Sequence, residues 1–156
     1  GTDVSYVQAH KGLDDGIEFF GSSTFIDHAV ITGAADDSLD WGQGWTGGAQ
    51  FVFIRQFDDD AGYGIEADND AETPDADPVS EPTIVNMTIL GTAAPTDEQI
   101  GVLLRRGTGA HIFNSIVTGA DVCLDLDDDA TFTRYEQGRL EINNSVMSCA
   151  TNFREQ

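Results

Sequence analysis

Positive charge is scarce in this chain of 156 residues, which has seven lysines and arginines together against 28 acidic residues. A formal net charge of −21 repels nucleic acid and anionic membrane surfaces, so we expect no nucleic acid as a partner. The same composition attracts cations, and it suits a protein that works in salty water, where ions screen the self-repulsion.

Long hydrophobic runs and recognised catalytic motifs are also absent. No stretch reaches 18 apolar residues, so we predict no membrane-spanning segment. No GxSxG, HExxH or Walker pattern occurs, and we therefore assign no catalytic residue. No signal peptide is visible, but the chain opens inside a repeat. We expect a piece of a longer, exported chain with an extracellular or cell-surface location.

A short acidic and apolar phrase recurs in the first half of the chain. It reads DDGIEFF at 14–20, DDSLDW at 36–41 and GYGIEA at 62–67. Each copy leads through a glycine-containing turn into an alternating apolar stretch, such as TFIDHAVITG or AQFVFIRQ. Repeats of this length predict stacked coils, each made of about two short strands and their turns.

Alignment of the repeats places equivalent residues in columns. Because side chains alternate across a strand, one column is expected to point inward and the next outward. The inward column holds Ile17, Leu39, Ile65, Val102 and Leu124. The outward column holds Glu18, Asp40, Glu66, Leu103 and Asp125.

A third column contains asparagine in its later members. Asn86, Asn114 and Asn144 share this position with His28, and Tyr6 is the expected predecessor of His28. Stacked asparagines can hydrogen-bond along a parallel ladder, which satisfies amides at an inward-pointing turn. Ordinary turn asparagines are the alternative.

These columns predict an all-β fold, a right-handed parallel β-helix (solenoid) of about five coils over residues 1–156. The longest helical candidate, at 96–106, aligns as strand. Cys123 and Cys149 are separated by about one repeat, so they can meet as a disulfide between adjacent coils, with two buried thiols as the alternative. No CxxC motif or nearby histidine pair favours structural zinc.

A family resemblance follows from these motifs. The run YVQAHKGLDDGIEFFG, followed by DDSLDWGQGWTGGAQFVFIRQ and GIEADND, resembles the β-helix repeat of secreted or surface-anchored bacterial proteins, many of them lipoproteins, within the pectin-lyase-like superfamily. The resemblance implies an exported, repeat-built domain. It does not choose an activity, because the superfamily includes lyases, hydrolases, adhesins and passive scaffolds.

The outward carboxylates are candidate calcium ligands. Glu18, Asp40 and Glu66 are expected to stack about 4.8 Å apart, where two charges repel by roughly 3 kcal/mol at an effective dielectric near 20. A bound cation, a raised pKa or outward splaying relieves this repulsion. Further candidate ligands flank these strands: Asp14, Asp15, Asp36, Asp37, the run 58–60, Asp68 and Asp70. A solvated acidic face is the alternative.

Aromatic and basic residues suggest a carbohydrate site as a second possibility. The columns direct Trp41 into the core, while Trp45 lies in a turn and is expected to be exposed, as a platform for a sugar ring. Core filling is the alternative for Trp45. Arg105 and Arg106 follow a strand directly and are the basic candidates for a polysaccharide lyase or a binding cleft.

The segment 68–82 interrupts the repeat and carries three of the four prolines with many acidic residues. We expect a mobile, projecting, acidic loop. Taken together, the sequence favours a non-catalytic extracellular structural or adhesive module with a calcium-stabilised acidic face, which self-associates head to tail through its coil ends. The alternative is a polysaccharide-binding or polysaccharide-degrading, lyase-like domain.

Overall fold

A computed structural model of the chain describes residues 2–58, 62–92 and 98–156. This part contains fourteen strands and one helix. The elements are β1 (Asp3–His10), β2 (Ile17–Phe20), β3 (Phe25–Thr32), β4 (Leu39–Gly42), β5 (Gly48–Arg55), β6 (Tyr63–Ala67), β7 (Thr83–Leu90), β8 (Ile100–Leu104), β9 (Ala110–Phe113), β10 (Ile116–Thr118), β11 (Val122–Leu126), α1 (Asp129–Glu136), β12 (Leu140–Asn143), β13 (Val146–Ser148) and β14 (Thr151–Glu155).

The strands form two parallel sheets that the chain visits alternately. Sheet A has the order β1-β3-β5-β7-β10-β13, with β9 beside β7 and β12 beside β9. Sheet B has the order β2-β4-β6-β8-β11-β14. Each circuit of the chain adds one layer to both sheets, so the fold is a parallel β-helix. The six strands of sheet B correspond to six coils, where the repeats predicted about five.

The predicted register of sheet B is confirmed. Ile17 pairs with Leu39, Leu39 with Ile65, Ile65 with Val102, and Val102 with Leu124. The central members of this column are buried in the core between the two sheets, and Trp41 is buried beside them as expected. Apolar columns stack in this way because neighbouring parallel strands place equivalent side chains about 4.8 Å apart.

The strands of sheet A bend at one shared position. Here the backbone is left-handed in all six coils, with φ between 49° and 60°. The residues at the bend are Tyr6, His28, Phe51, Asn86, Asn114 and Asn144. Asparagine tolerates this conformation well, and the side-chain amide of Asn114 donates a hydrogen bond to Asn86 Oδ1. The repeat alignment did not include Phe51.

One helix interrupts the all-β pattern. The Asp128 carboxylate caps α1 by accepting a hydrogen bond from the Thr131 N–H at 2.9 Å. The signal was present in the sequence, because an aspartate followed by DATFTRYEQG is a typical helix start. By contrast, the candidate helix at 96–106 is strand β8 over Ile100–Leu104, while 93–97 lie outside the described residues.

The segment 68–82 does not project as expected but packs against the coils. Asn69 is buried; its amide donates to the carbonyls of Pro74 and Ala76 at 2.9 and 3.0 Å, and its Oδ1 accepts from the Ser80 N–H at 2.8 Å. Arg134 of α1 donates to the Pro74 carbonyl at 3.2 Å. The expectation was wrong because two buried side chains satisfy the polar backbone of this loop.

Cys123 and Cys149 form a disulfide with their Cα atoms 5.5 Å apart. Cys123 lies in β11, and Cys149 follows β13. The bond therefore links the fifth coil to the sixth.

Candidate functional site

The predicted acidic residues come together at one edge of sheet B. Glu18, Asp40 and Glu66 occupy adjacent register positions on β2, β4 and β6. Asp15 and Asp37 occupy equivalent positions in the turns that precede β2 and β4. The Asp37 N–H donates to Asp15 Oδ1 at 3.0 Å, which sets the two turns one above the other.

Five of these residues form a tight group, which we call the acidic cluster: Asp14, Asp15, Asp36, Asp37 and Asp40. Carboxylate oxygens of Asp15, Asp37 and Asp40 all lie within 4.8 Å of one another. Asp14, Asp15 and Asp36 satisfy the same limit. Asp15 belongs to both groups, so the cluster offers two overlapping sets of oxygen donors.

Burial and mutual repulsion dominate the electrostatics of the cluster. Asp37 is only 4% exposed, and burial, with neighbouring carboxylates adding to it, raises its pKa to about 8. Its one strong compensation is a hydrogen bond from the Tyr63 N–H at 2.7 Å. Burial and the charge of Glu66 likewise raise the pKa of Asp40 to about 8. The pKa values of Asp15 and Glu18 are also raised, mainly by burial.

Arginines neutralise the other end of the carboxylate column. Arg105 forms salt bridges with Glu66 and with Asp68, at 2.5 and 2.8 Å, and Arg106 pairs with Asp68 at 2.6 Å. The pKa of Glu66 is still raised because burial outweighs the nearby guanidinium. The column is therefore divided into an arginine-paired end and the acidic cluster, whose nearest charges are other carboxylates.

A cleft of about 270 Å³ opens beside Asp40. Its walls come from β2, β4 and the start of the 68–82 loop. The lining residues are Glu18, Phe20, Asp40, Trp41, Gly42, Gln43, Asp68, Asn69, Asp70, Ala71 and Glu72. Asp70 Oδ1 accepts hydrogen bonds from the Glu72 and Thr73 N–H groups, so this predicted metal ligand shapes the loop turn instead of joining the acidic cluster.

Trp45 is not the exposed sugar platform that its turn position suggested. The side chain is 0% exposed, its indole stacks on Phe19 with ring centroids 4.4 Å apart, and its Nε1 donates to the Thr24 carbonyl at 3.0 Å. The prediction failed because the turn after β4 folds inward and delivers Trp45 beside Trp41. The core-filling alternative describes this residue.

Phe20 takes the place expected for Trp45 at the surface. It is 66% exposed and lines the cleft together with Gln43. The repeat alignment contains the signal, since Ile17 and Phe19 point inward and Phe20 follows Glu18 on the outward face. We had not singled out this position because an aromatic ring in an apolar phrase was read as core.

Arg105 and Arg106 reach the edge of the cleft only through their acidic partners. Although burial opposes it, hydrogen bonding to Asp68 and the charge of Glu66 raise the pKa of the Arg105 guanidinium. The group therefore holds its proton more firmly than usual. Arg105 and Arg106 position Glu66 and Asp68 beside the acidic cluster.

Comparison with known families decides the classification. The family model described as pectate-lyase like beta helix domain matches residues 1–156. The chain belongs to this family. Membership establishes a pectate-lyase-like β-helix, an architecture used for polysaccharide-related or structural roles. No curated protein and no solved structure matches the chain.

The helical content of the β-helix domain bears on its relation to membranes. Within 2–58, 62–92 and 98–156, no helix is long and apolar enough to cross a bilayer.

Proposed function

We propose that this β-helix domain is an extracellular, non-catalytic structural or adhesive module whose acidic cluster binds calcium. One observation carries the proposal: carboxylate oxygens of Asp15, Asp37 and Asp40 lie within 4.8 Å of one another in a partly buried site. Such an arrangement is costly for the protein alone, and a cation removes the cost.

The donor set suits calcium. Calcium accepts six to eight oxygen ligands in flexible geometry, whereas magnesium requires a near-ideal octahedron and keeps its waters. Asp15, Asp37 and Asp40 supply up to six carboxylate oxygens, and Asp14 and Asp36 extend the donor set toward solvent. All of these donors are hard oxygen atoms, which disfavours zinc and copper.

The state of the arginines supports the non-catalytic part of the proposal. A lyase mechanism requires a group that accepts a proton from the sugar. Arg105 and Arg106 are held by Glu66 and Asp68, and the raised pKa of Arg105 makes it a poor base.

Thermal unfolding tests calcium binding. We expect calcium to raise the midpoint above its value in EDTA, and magnesium or sodium chloride at matched ionic strength to raise it less. The Asp37→Asn/Asp40→Asn double variant is expected to lose the calcium-specific increment. Asp3→Asn, on β1 of sheet A, is the matched control and is expected to retain it. An equal rise with magnesium would contradict a calcium site.

Polysaccharide binding in the cleft is the second candidate function, and the exposure of Phe20 beside Gln43 favours it. An aromatic face next to hydrogen-bonding groups suits a sugar ring. We expect oligogalacturonate to bind in the presence of calcium, and Phe20→Ala to weaken this binding. A calorimetric titration measures both, and release of unsaturated oligosaccharides in the same mixture would overturn the non-catalytic assignment.

Self-association through the coil ends belongs to the same proposal. Among the described strands, β1 and β2 at one end and β13 and β14 at the other pair on one side only. Sedimentation velocity over a concentration series tests this, and a mass that stays monomeric at every concentration would contradict it.

A further inference from the structure

The bend of sheet A carries aromatic rings in its first three coils. Tyr6, His28 and Phe51 stack in sequence, with ring centroids 4.7 Å apart for the first pair and 4.9 Å for the second. We call these three residues the aromatic column. Tyr6 is 78% exposed, Phe51 is 47% exposed and the His28 side chain is 43% exposed.

The backbone does not favour aromatic residues at this position. All three have φ between 55° and 57°, in the left-handed region that bulky side chains rarely adopt. The next three coils use asparagine at the same bend, with the same sign of φ. Exposed rings at strained positions, where the same fold also accepts asparagine, indicate a use for the rings beyond folding.

The aromatic column forms one side of an open groove of about 440 Å³. Val30 and Phe53 supply apolar surface, and Gln8 supplies an amide. The groove is lined by Tyr6, Val7, Gln8, His28, Ala29, Val30, Phe51 and Phe53. It spans the first three coils on sheet A, away from the acidic cluster of sheet B.

The groove also differs from the rest of the molecule in charge. Its lining contains no carboxylate, although the chain has 28 acidic residues. The nearest one, Asp27, faces the His28 imidazole at 2.7 Å. A ligand in the groove therefore meets aromatic edges, aliphatic side chains and a few neutral hydrogen-bonding groups, while the surrounding negative field repels anions.

We propose that this groove binds a neutral polysaccharide chain lying along the axis of the solenoid. The C–H faces of successive sugar residues pack against the ring edges and against Val30 and Phe53, while Gln8 and His28 hydrogen-bond the hydroxyl groups. A protein partner is disfavoured, since a stable protein interface needs about 800 Å² on each side. The site is independent of calcium and of the cleft beside Phe20.

The structure suggests a test that preserves the fold. Tyr6→Asn, His28→Asn and Phe51→Asn, combined in one variant, give the first three coils the residue that the next three already carry. We expect the variant to fold, because asparagine suits the left-handed bend. The single variant Phe51→Asn serves if the triple variant does not fold. The matched control, Phe20→Asn, removes an exposed aromatic from the other sheet.

Binding is measured by isothermal titration calorimetry in EDTA with neutral hexasaccharides (cellohexaose, xylohexaose and mannohexaose) and with hexagalacturonate as the anionic probe. We expect at least one neutral probe to bind, hexagalacturonate to bind more weakly, and the triple variant to lose roughly tenfold or more in affinity. Phe20→Asn is expected to bind like the wild type.

Three results would overturn the proposal: no binding of any neutral probe, equal binding by the folded triple variant, or a loss of binding confined to Phe20→Asn. Sedimentation velocity on the wild type and the triple variant gives a fourth. A change in oligomeric state between them would identify the groove as a contact between copies of the chain. None of these results depends on the calcium site, because EDTA is present throughout.

Discussion

Asp37 shows how burial and charge conflict at single residues of this domain. Its carboxylate is nearly inaccessible, yet it faces the carboxylates of Asp15 and Asp40 within 4.8 Å. The backbone N–H of Tyr63 offers partial compensation. The residue therefore stores a cost that either a proton or a cation relieves.

The pH dependence of stability without metal follows from this cost. The pKa of Asp37 is about 8 in the folded chain and about 3.9 when unfolded, so between these values the folded state binds more protons. The free energy of unfolding in EDTA is therefore expected to fall as pH rises from about 4 to about 8.

Asp37→Asn is expected to flatten this dependence, because the amide retains the acceptor for Tyr63 and carries no charge. At pH 8 in EDTA it should unfold several degrees above the wild type, since 1 kcal/mol corresponds to about 2–4 °C for a chain of this size. Chemical denaturation across pH measures the effect. A variant that is less stable than the wild type at pH 8 would contradict the electrostatic account.

His111 shows the opposite behaviour. Its ring nitrogens lie 3.0 Å from Glu81 and 2.9 Å from Glu141, and although burial opposes it, these hydrogen bonds raise the pKa of His111. A raised histidine pKa stabilises the fold below about pH 6.5 and loses this effect as pH rises through the folded value.

His111→Phe is therefore expected to be less stable than the wild type by about 0.5 kcal/mol at pH 6, a typical value for a partly exposed ion pair. The difference should shrink by pH 9. Denaturant melts of both proteins at the two pH values check this, and a difference that does not vary with pH would assign His111 a packing role alone.

Among the secondary-structure elements, α1 has an influence on the candidate site that its position in the chain does not reveal. Arg134 is buried and donates to the Gly107 carbonyl at 3.0 Å, to the Pro74 carbonyl at 3.2 Å and to Asp75 at 2.7 Å. The helix thereby holds the middle of the 68–82 loop. The beginning of the same loop lines the cleft beside Asp40.

Arg134→Met is expected to keep much of the packing but to release the loop, at a cost of about 2 kcal/mol for the lost charged hydrogen bonds. Hydrogen exchange should then increase within 68–82 while β11 and β12 remain protected. Arg139→Met, which removes the salt bridge to Glu81 at 2.6 Å, is the matched control. Equal exchange in the loop of both variants would contradict the role of Arg134.

At the scale of the whole molecule, coils stack so that each one contacts only its neighbours. Stability in such a fold is close to a sum of coil and interface contributions. The Cys123–Cys149 disulfide supports the last interface, because it ties the fifth coil to the sixth across 26 residues of chain. This end of the solenoid is consequently the one most affected by reduction.

Cys123→Ala/Cys149→Ala is expected to lower the free energy of unfolding by about 2–4 kcal/mol, the usual range for a disulfide that closes a loop of this length. Fraying should concentrate in β13 and β14, with sheet register in the first four coils unchanged. Denaturant unfolding with hydrogen exchange measures both. Uniform destabilisation of all coils would show that the solenoid unfolds as one unit.

Much of the fold was accessible from the sequence. Repeats of similar length impose equivalent positions, and the alternation of strands decides which positions point inward. The register from Ile17 to Leu124 and the bend shared by Asn86 and Asn114 followed from these rules. The same alignment brought Glu18 and Asp40 side by side.

Tertiary structure decided what the repeats do not encode. The turn after β4 folds under the sheet and buries Trp45, so Phe20 is the aromatic residue exposed in the cleft. The loop at 68–82 is ordered by contacts with Arg134, which lies about 60 residues further along the chain.

The physical reason is the range of the interactions. Strand alternation and repeat spacing are local properties of a sequence, and they determined the coils, their inward faces and the acidic column. Burial, the raised pKa of Asp37, the grouping of Asp15 with Asp40 and the groove at the aromatic column depend on which coils and turns meet in space. These features follow only from the assembled solenoid.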